Sequence, residues 1–232
     1  EGAMKPMTIR GTQNVMSVSA CPMQDGALAF YFLVKENDGT STLGRTISRD
    51  GGKTWTETVI ANDARYELCE VSIVEIENGT LVAFMRENSG LGICCLKAIS
   101  KDYGTTWEGV YETNIDACHR PVVGKCKSGN LLMTYRFMQG GRGWLGAWTQ
   151  NLFGAFFTKE SALATTRKGH SARIFPISYD RSPKSDTGYS GWVELSEERF
   201  YVVNYMLDDA PKAQIRGFSF DRDDVIVEQS ES

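Results

Sequence analysis

The sequence predicts an all-β fold built from repeated antiparallel sheets, the pattern of a β-propeller. The octet SRDGGKTW at Ser48–Trp55 returns as SKDYGTTW at Ser100–Trp107, and both fit Ser-x-Asp-x-Gly-x-Thr-Trp. Turn-forming glycines recur at Gly26, Gly79 and Gly129, a period of about 50 residues that is typical of propeller blades. Runs rich in β-branched and aromatic residues flank these turns, as strands do.

Each repeat reads as a strand, a tight turn and a second strand. The pairs Asp25-Gly26 and Asn78-Gly79 predict two-residue hairpin turns, because Gly and Asn tolerate the positive φ angles that such turns require. A fourth unit, YSGWVELSEERFYVVNY, has Glu198 where the glycine should be, which weakens the hairpin prediction there. After the first two hairpins we expect a third strand, over residues 44–47 and 92–99, and then the octet.

These repeats predict one propeller domain with about four blades. The chain has 232 residues, which is enough for a sizeable core. An insertion, roughly between residues 139 and 185, lengthens the third unit. The expected blades cover approximately residues 12–62, 63–116, 117–182 and 183–228.

The octets have a structural task at the corner of a blade. An Asp or Ser side chain can bind backbone N–H groups in a tight loop, Gly permits a left-handed conformation, and Trp anchors the corner. We therefore expect structural and not catalytic roles for eight residues: Ser48, Asp50, Gly52, Trp55, Ser100, Asp102, Gly104 and Trp107.

Composition excludes several classes of partner. The net charge is -4 and no long run of one sign occurs, so a nucleic acid or an anionic membrane has no electrostatic support. No apolar run approaches the roughly 18 residues of a membrane span. Two histidines and six scattered cysteines, without a Cys-x-x-Cys pair, predict no metal site, and nothing predicts a cofactor. No signal peptide is visible, and the compartment stays open.

The octets resemble the Asp-boxes of the sialidase, or BNR-repeat, propeller superfamily. The segment CEVSIVEIENGTLVAFMREN resembles the sialidase stretch with a Glu and a carboxylate-binding Arg, and DTGYSGWVEL resembles the stretch with the nucleophilic Tyr. The segments WTQNLFGAFF and DDAPKAQIRGF are similar to uncharacterised bacterial relatives of sialidases. The resemblance covers residues 12–225, and for a family of this kind it slightly favours a secreted or periplasmic location.

The resemblance also implies that part of the propeller lies elsewhere. Propellers of this superfamily usually close with about six blades, and propellers in general carry 4–8. We therefore expect a missing N-terminal segment, or a companion chain, that completes the ring. In sialidases that piece carries the first arginine of the carboxylate-binding triad and the catalytic Asp, and neither is assignable on this chain.

The repeat itself predicts a site. Counting nine residues back from Gly26, Gly79, Gly129 and Glu198 gives one set of equivalent positions, and counting seven residues forward gives a second set. Residues at such offsets lie near each other at the hairpin end opposite the turn, which on a propeller faces the central axis. The two sets are Ser17, Glu70, Arg120 and Tyr189, and Leu33, Arg86, Arg136 and Tyr205.

The residue types at these positions indicate glycoside hydrolysis. A phenol with a pKa near 10 is a poor nucleophile at neutral pH, and a neighbouring Glu70 can take the proton of Tyr189 as attack proceeds. Sialidases use such a tyrosine in place of a nucleophilic carboxylate. Arg86 and Arg136 can hold a substrate carboxylate by bidentate hydrogen bonds. The alternatives are a strand-entry aromatic for Tyr189, a surface carboxylate for Glu70 and inter-blade ion pairs for the arginines.

Several further residues are candidates near the same end. His119 and Arg120 precede a proline, so an extended backbone is expected there. His119 at the rim is either a ligand contact or an acid/base, and Asp186 is either a loop cap or a site residue. Three aromatic residues of the insertion either stack on a sugar or pack in the core: Trp144, Trp148 and Phe153.

Two classes of function remain after these observations. The first is a sialidase-like exo-glycoside hydrolase acting on an anionic or deoxy sugar at a glycan terminus, with Tyr189 and Glu70 as the nucleophile pair. The second is a non-catalytic propeller that binds carbohydrate or serves as an assembly platform. A polysaccharide lyase on the same scaffold, relying on His119 and a tyrosine, is a further alternative.

Overall fold

The computed structural model describes residues 15–139 and 149–225, with side chains from residue 23 onward, as four antiparallel sheets in chain order. The first sheet contains β1 (Val15–Pro22), β2 (Leu28–Lys35), β3 (Ser41–Ser48) and β4 (Thr56–Asn62). The second contains β5 (Leu68–Glu77), β6 (Thr80–Glu87), β7 (Leu96–Ser100) and β8 (Glu108–Glu112).

The third and fourth sheets continue the same up-and-down order. The third contains β9 (Cys118–Lys125), β10 (Leu131–Gln139), β11 (Thr149–Phe157) and β12 (Arg173–Tyr179). The fourth contains three strands within the described residues: β13 (Thr187–Ser196), β14 (Arg199–Met206) and β15 (Gln214–Asp221). Two short helices are α1 (Lys159–Leu163) and α2 (Arg222–Val225), and none of the described helices is long and apolar enough to cross a membrane.

Hydrophobic cores lie between consecutive sheets. The strand β6 shows why, because both of its faces are apolar. Leu81 and Met85 point into the core shared with the first sheet, whereas Val82 and Phe84 point into the core shared with the third. A third core joins the third and fourth sheets through rings such as that of Phe200. Each sheet therefore behaves as a blade, and the inner strands β1, β5, β9 and β13 contact one another in order.

The second blade has the predicted two-residue turn, since Glu77 pairs with Thr80 around Asn78 and Gly79, whereas the first and fourth blades differ from the prediction. In the first blade, Met23 N donates to Ala27 O and Gly26 N donates to Met23 O, so the loop has three residues instead of two. Gly26 adopts φ 80°, the conformation that favours glycine. In the fourth blade Glu198 takes the same role with φ 57°, and the hairpin forms despite the absence of a glycine. The expectation that the hairpin is weakened at this turn was therefore wrong, since the surrounding sheet stabilises the positive φ of Glu198.

The first octet forms a corner closed by its own side chains. Ser48 Oγ accepts a hydrogen bond from Gly52 N at 2.8 Å and donates one to Asp50 Oδ1 at 2.8 Å. Trp55 Nε1 donates to Gly52 O at 3.1 Å, and Gly52 has φ 89°. The second octet repeats these bonds at 2.7, 2.8 and 3.0 Å, between the equivalent residues Ser100, Asp102, Gly104 and Trp107.

Both octets lie at the end of the blades that carries the glycine turns. Ser48 pairs with Leu28, which follows the first turn, and Ser100 pairs with Leu81, which follows the second. The opposite end is formed by the β2–β3, β4–β5 and β6–β7 connections, among others. That end, called the site end below, is where the candidate residues gather.

Candidate functional site

Three residues from two distant blades form the centre of the site. The hydroxyl of Tyr189 on β13 donates a hydrogen bond to Glu70 Oε1 on β5 at 3.1 Å. Arg86 Nη1 on β6 lies 2.8 and 3.1 Å from the two oxygens of Glu70. Glu70 and Arg86 are buried, whereas Tyr189 is 54% exposed, so a ligand can reach the phenol. The sequence predicted this group, and the structure brings its three members into contact.

β-Bulges place the inner-strand residues. In the pairing of β5 with β6 the register jumps between Leu68 and Val71, which sets Glu70 into a bulge. The pairing of β13 with β14 jumps between Gly188 and Gly191, which does the same for Tyr189. A bulge adds one residue to a strand and redirects its side chain.

The bulge in the third blade changes one predicted neighbour. The count from the turn residue predicted that Arg120 is the neighbour of Arg136, but the residue paired with Arg136 is His119. Arg120 lies within the bulge at φ 51°, so the extended backbone expected before its proline was wrong at this residue. Its guanidinium instead lies 4.9 Å from the centre of the Tyr189 ring, in a cation–π contact.

Electrostatics leave Glu70 charged and Tyr189 protonated. Burial acts to raise the pKa of Glu70, but the Arg86 charge and the hydrogen bonds from Arg86 and Tyr189 hold it below its ordinary value. Burial and the adjacent Glu70 carboxylate raise the pKa of Tyr189. The pair is thus poised as an acceptor and a donor of one proton, which is the state an activated phenol requires before attack.

Arg136 is held beside the phenol by residues of the third and fourth blades. Its Nη1 donates to Gln150 Oε1 at 3.3 Å and to Thr187 O at 3.2 Å. Gln150 Oε1 also accepts from Thr187 N at 3.1 Å, so this side chain links both partners. Nothing in the sequence pointed to Gln150, because a single glutamine on a strand carries no motif.

His119 is buried between two arginines. Burial, Arg86 and Arg136 lower its pKa to about 2, so the imidazole is neutral across the physiological range. Its Nδ1 is buried without a hydrogen-bond partner. A group with so low a pKa suits a neutral ligand contact better than the acid/base of the lyase alternative.

The loop before Tyr189 is organised by Asp180, a second residue to which no sequence motif pointed. Its buried carboxylate accepts hydrogen bonds from the backbone N–H of Asp186 at 3.1 Å and from Thr187 Oγ1 at 3.1 Å. Asp186 Oδ1 in turn accepts from the Tyr205 hydroxyl at 3.0 Å, and the Tyr205 ring lies edge-on to Tyr189 at 6.3 Å. Asp186 therefore lies one side chain away from the phenol.

Two of the remaining sequence candidates, Leu33 and Phe153, are packing residues, and the side chains of the others are not described. Leu33 is buried in the first core, and nothing is described of the Ser17 side chain. Phe153 stacks on Phe137 with ring centres 4.6 Å apart, which is packing within the third blade. Trp144 and Trp148 lie outside the described residues. In the described parts of the chain no group of three or more His, Cys, Asp or Glu side chains is arranged to hold a metal ion.

Comparison with known proteins assigns the family. Residues 12–202 match the BNR repeat-like domain. The chain belongs to this family. An 85-residue stretch is 36% identical to a sialidase of Bacteroides fragilis, covering 37% of this chain and 15% of that protein.

Solved structures show the same architecture. A protein of unknown function from Dyadobacter fermentans superposes with a TM-score of 0.72 at 20% identity, over 88% of this chain and 52% of that one. The Hadza microbial sialidase Hz136 gives 0.61 at 17% identity, over 91% and 39%. The NanB sialidase of Streptococcus pneumoniae gives 0.61 at 16% identity, over 96% and 33%. The all-β propeller of sialidase type is thus confirmed, and the chain spans about half or less of these relatives.

Proposed function

We propose that this chain carries the nucleophile half of a sialidase-like exo-glycoside hydrolase acting on an anionic or deoxy sugar at a glycan terminus. The observation that carries the proposal is the 3.1 Å hydrogen bond from the Tyr189 hydroxyl to Glu70, two residues 119 positions apart in the chain. A phenol paired with a buried, ionised carboxylate at the axial end of a propeller is equipped for nucleophilic attack.

In the proposed reaction the Tyr189 oxygen attacks the anomeric carbon while its proton passes to Glu70. The glycosidic bond breaks, and the departing oxygen takes a proton from an acid that the described residues do not supply. Water then attacks the anomeric carbon of the tyrosyl–sugar and gives one proton to the conjugate base of that acid. Glu70 returns its proton to the phenolate oxygen, and the free sugar leaves. Arg86 stabilises the charge of Glu70 before the proton arrives.

The arginines beside the phenol are suited to bind a negatively charged group of the substrate. Arg136 and Arg120 flank the Tyr189 ring, at 6.0 and 4.9 Å from its centre. With Arg86, which binds the Glu70 carboxylate that accepts from Tyr189, they place three guanidinium groups around the Glu70–Tyr189 pair. Guanidinium groups bind carboxylates through paired hydrogen bonds. In this proposal Arg136, Arg120 and Arg86 orient the substrate anion, His119 contacts it as a neutral donor or acceptor, and Asp186 supports the phenol through Tyr205.

The test is turnover of aryl glycosides by the full-length protein and its Tyr189→Phe variant. Removal of the phenolic oxygen should reduce kcat by about a thousandfold or more, because no nucleophile remains. Tyr179→Phe is a matched control, since Tyr179 lies on the outer strand of the third blade and is as exposed as Tyr189. A panel of sialosides and other acidic or deoxy glycosides identifies the sugar. Full activity of Tyr189→Phe on the best substrate would contradict the assignment.

A non-catalytic carbohydrate-binding propeller is the second candidate. It is favoured by the engagement of Arg86 with Glu70, which leaves this arginine less available to a ligand. In that case a glycan array would show binding without product release, and Tyr189→Phe would weaken binding only modestly. The two candidates therefore separate on product formation.

The fourth blade supports the expected further segment or companion chain. Its face away from the third blade exposes Val193, Tyr201, Val203 and Ile215, the last at 83%. The corresponding faces of the first three blades are buried in cores. We infer that another blade covers this face in the whole protein. Hydrogen exchange of β14 should then be slower in the whole protein than in residues 1–232 alone.

A further inference from the structure

A polar hollow lies beside the candidate site on the same end of the propeller. It has a volume of about 600 Å³ and opens between the β2–β3 connection and the β4–β5 connection. Its walls include Lys35, Asp38 and Thr40 from the first blade and Arg65, Tyr66 and Glu67 from the second. None of these residues belongs to the nucleophile group described above.

The hollow adjoins the site through a short piece of chain. Glu67 stands three residues before Glu70, so at about 3.3 Å per residue the inner wall of the hollow lies roughly 10 Å from the Glu70 backbone. Glu67 is also tied to the end of β6, because its backbone N–H donates to Glu87 Oε1 at 3.0 Å and its carboxylate accepts from Asn88 Nδ2 at 3.1 Å. Arg86 directly precedes this end.

Two cations of the hollow are each hydrogen-bonded to a neighbouring carboxylate. Arg65 uses Nε and Nη2 to bind the Asp63 carboxylate at 2.9 and 2.6 Å, and its guanidinium lies 5.2 Å from the centre of the Tyr66 ring. Lys35 Nζ binds Ser41 Oγ at 2.8 Å and Glu67 Oε1 at 3.1 Å.

The chemistry of the walls matches a neutral, hydroxyl-rich ligand. The two cations are balanced by Asp38 and Glu67, so the hollow has no strong net charge. Ammonium and guanidinium N–H groups donate, whereas carboxylates and the Thr40 hydroxyl accept, and sugar hydroxyls do both. The planar Arg65 on Tyr66 adds a flat surface for a sugar ring. An anionic ligand is better served by the arginines around Tyr189.

We propose that this hollow is a subsite for the neutral sugars that follow the terminal residue of a glycan, with Arg65 and Lys35 as its main contacts. The proposal rests on the proposed function, because the sugars assigned to the hollow are those that follow a terminal sugar bound at Tyr189. Substrate preference for extended glycans over short glycosides would then be determined here and not at the nucleophile.

The experiment compares two substrates that share one terminal sugar, the sugar identified by the aryl glycoside panel. The first is its aryl glycoside, and the second is the same sugar linked to lactose. In the full-length protein, Arg65→Ala should lower kcat/KM for the lactose-linked substrate about tenfold and leave the aryl glycoside within about twofold. Arg199→Ala is the matched control, an exposed arginine near an aspartate at the other end of the blades. An Arg65→Ala variant with an unchanged ratio of the two values would overturn the subsite.

Failure of the hollow and failure of the proposed function are separable. If the wild-type protein cleaves no glycoside in the panel, the proposed function fails, and lactose alone tests the hollow. Titration with millimolar lactose should then shift the NMR resonances of the Arg65 Nε–H and the Tyr66 ring, and Arg65→Ala should abolish the Tyr66 shift. Resonances that do not move, or that move equally in Arg65→Ala, refute the hollow as a sugar site.

Discussion

The guanidinium of Arg120 lies 4.9 Å from the centre of the Tyr189 ring, and both residues have positive φ angles, 51° and 23°. They occupy bulges on the inner strands of neighbouring blades. A non-glycine residue in this region costs about 1–2 kcal/mol, and such strain gathers at functional sites. The contact therefore joins two strained residues at the place where the chemistry is proposed.

Replacement of Arg120 should separate strain from function. Arg120→Ala keeps the positive φ and loses the cation–π contact, so its free energy of unfolding should fall by about 1 kcal/mol. Arg120→Gly relieves the strain and should be more stable than Arg120→Ala by about 1 kcal/mol. Both variants should lose affinity for an anionic ligand to a similar extent. Urea denaturation and KM measure the two effects, and equal stabilities would show that the backbone at this position is not strained.

The Glu70–Arg86 ion pair should be costly to break and cheaper to remove as a whole. Arg86→Met leaves a buried carboxylate without its cation, so the pKa of Glu70 should rise and about 3 kcal/mol or more of stability should be lost. In the double variant Glu70→Gln/Arg86→Met neither member of the pair carries a charge. Part of the stability lost in Arg86→Met should therefore be regained. Urea denaturation of the single and double variants closes the cycle. Additive losses would mean that the two groups do not stabilise each other.

Arg86 should also determine the pH at which kcat/KM falls on the acid side of the pH profile. Glu70 must be ionised to accept the phenolic proton, and its pKa lies below the ordinary value of 4.5. The acid limb of kcat/KM due to Glu70 should therefore lie below pH 4.5 in the wild type and move upward in Arg86→Met. An acid limb that stays in place in the variant would assign this limb to another group.

Repetition is what made the fold predictable from the sequence. The octets, the turn glycines and the strand pattern recur, so the same inference is supported several times, and the convergence of Glu70, Arg86 and Tyr189 followed from equivalent positions. The bulges were not predictable, because one extra residue in a strand leaves no fixed sequence pattern. For this reason His119, and not Arg120, is paired with Arg136.

Residues that act through the shape of a loop also escaped prediction. Nothing in the sequence DRSPKSDTG, which ends just before Tyr189, marked Asp180 as the acceptor that gathers the backbone N–H groups of this loop. Gln150 is similar, since its partners Arg136 and Thr187 are distant in the chain. Contacts of this kind depend on the assembled blades and on no local signal.

The octets should contribute to stability and not to catalysis. Ser100→Ala leaves the buried N–H of Gly104 without its acceptor, at a cost of about 1–3 kcal/mol in the free energy of unfolding. The octet lies at the opposite end of the blades from Tyr189, so kcat should be unchanged. Ser128→Ala, at an exposed turn serine, is the control. A fall in kcat of Ser100→Ala at a temperature where it is fully folded would contradict the structural role.

The two buried histidines should make stability depend on pH in a defined window. Burial with Arg86 and Arg136 lowers the pKa of His119 to about 2, and burial with Lys97 and Arg167 lowers that of His170 to about 3, from an ordinary value of 6.5. The unfolded chain binds protons at these groups below pH 6.5, whereas the folded chain does not until about pH 3. With respect to these two histidines, the free energy of unfolding is therefore greatest above pH 6.5. It falls as the pH falls from 6.5 towards the pKa values of the folded state.

Well below the unfolded pKa, each histidine should add about 1.4 kcal/mol per pH unit to the slope of stability against pH. Urea denaturation between pH 4.5 and 6 measures this slope above the pKa values of unfolded carboxyl groups, so the aspartates contribute little there. The unfolded state binds more protons than the folded state in this range, and His119→Gln should reduce that excess by about one proton. His170→Gln should reduce it by about one proton as well. If the slope of either variant equals that of the wild type, that imidazole is protonated in the folded protein, and a positive charge then lies between its cationic neighbours.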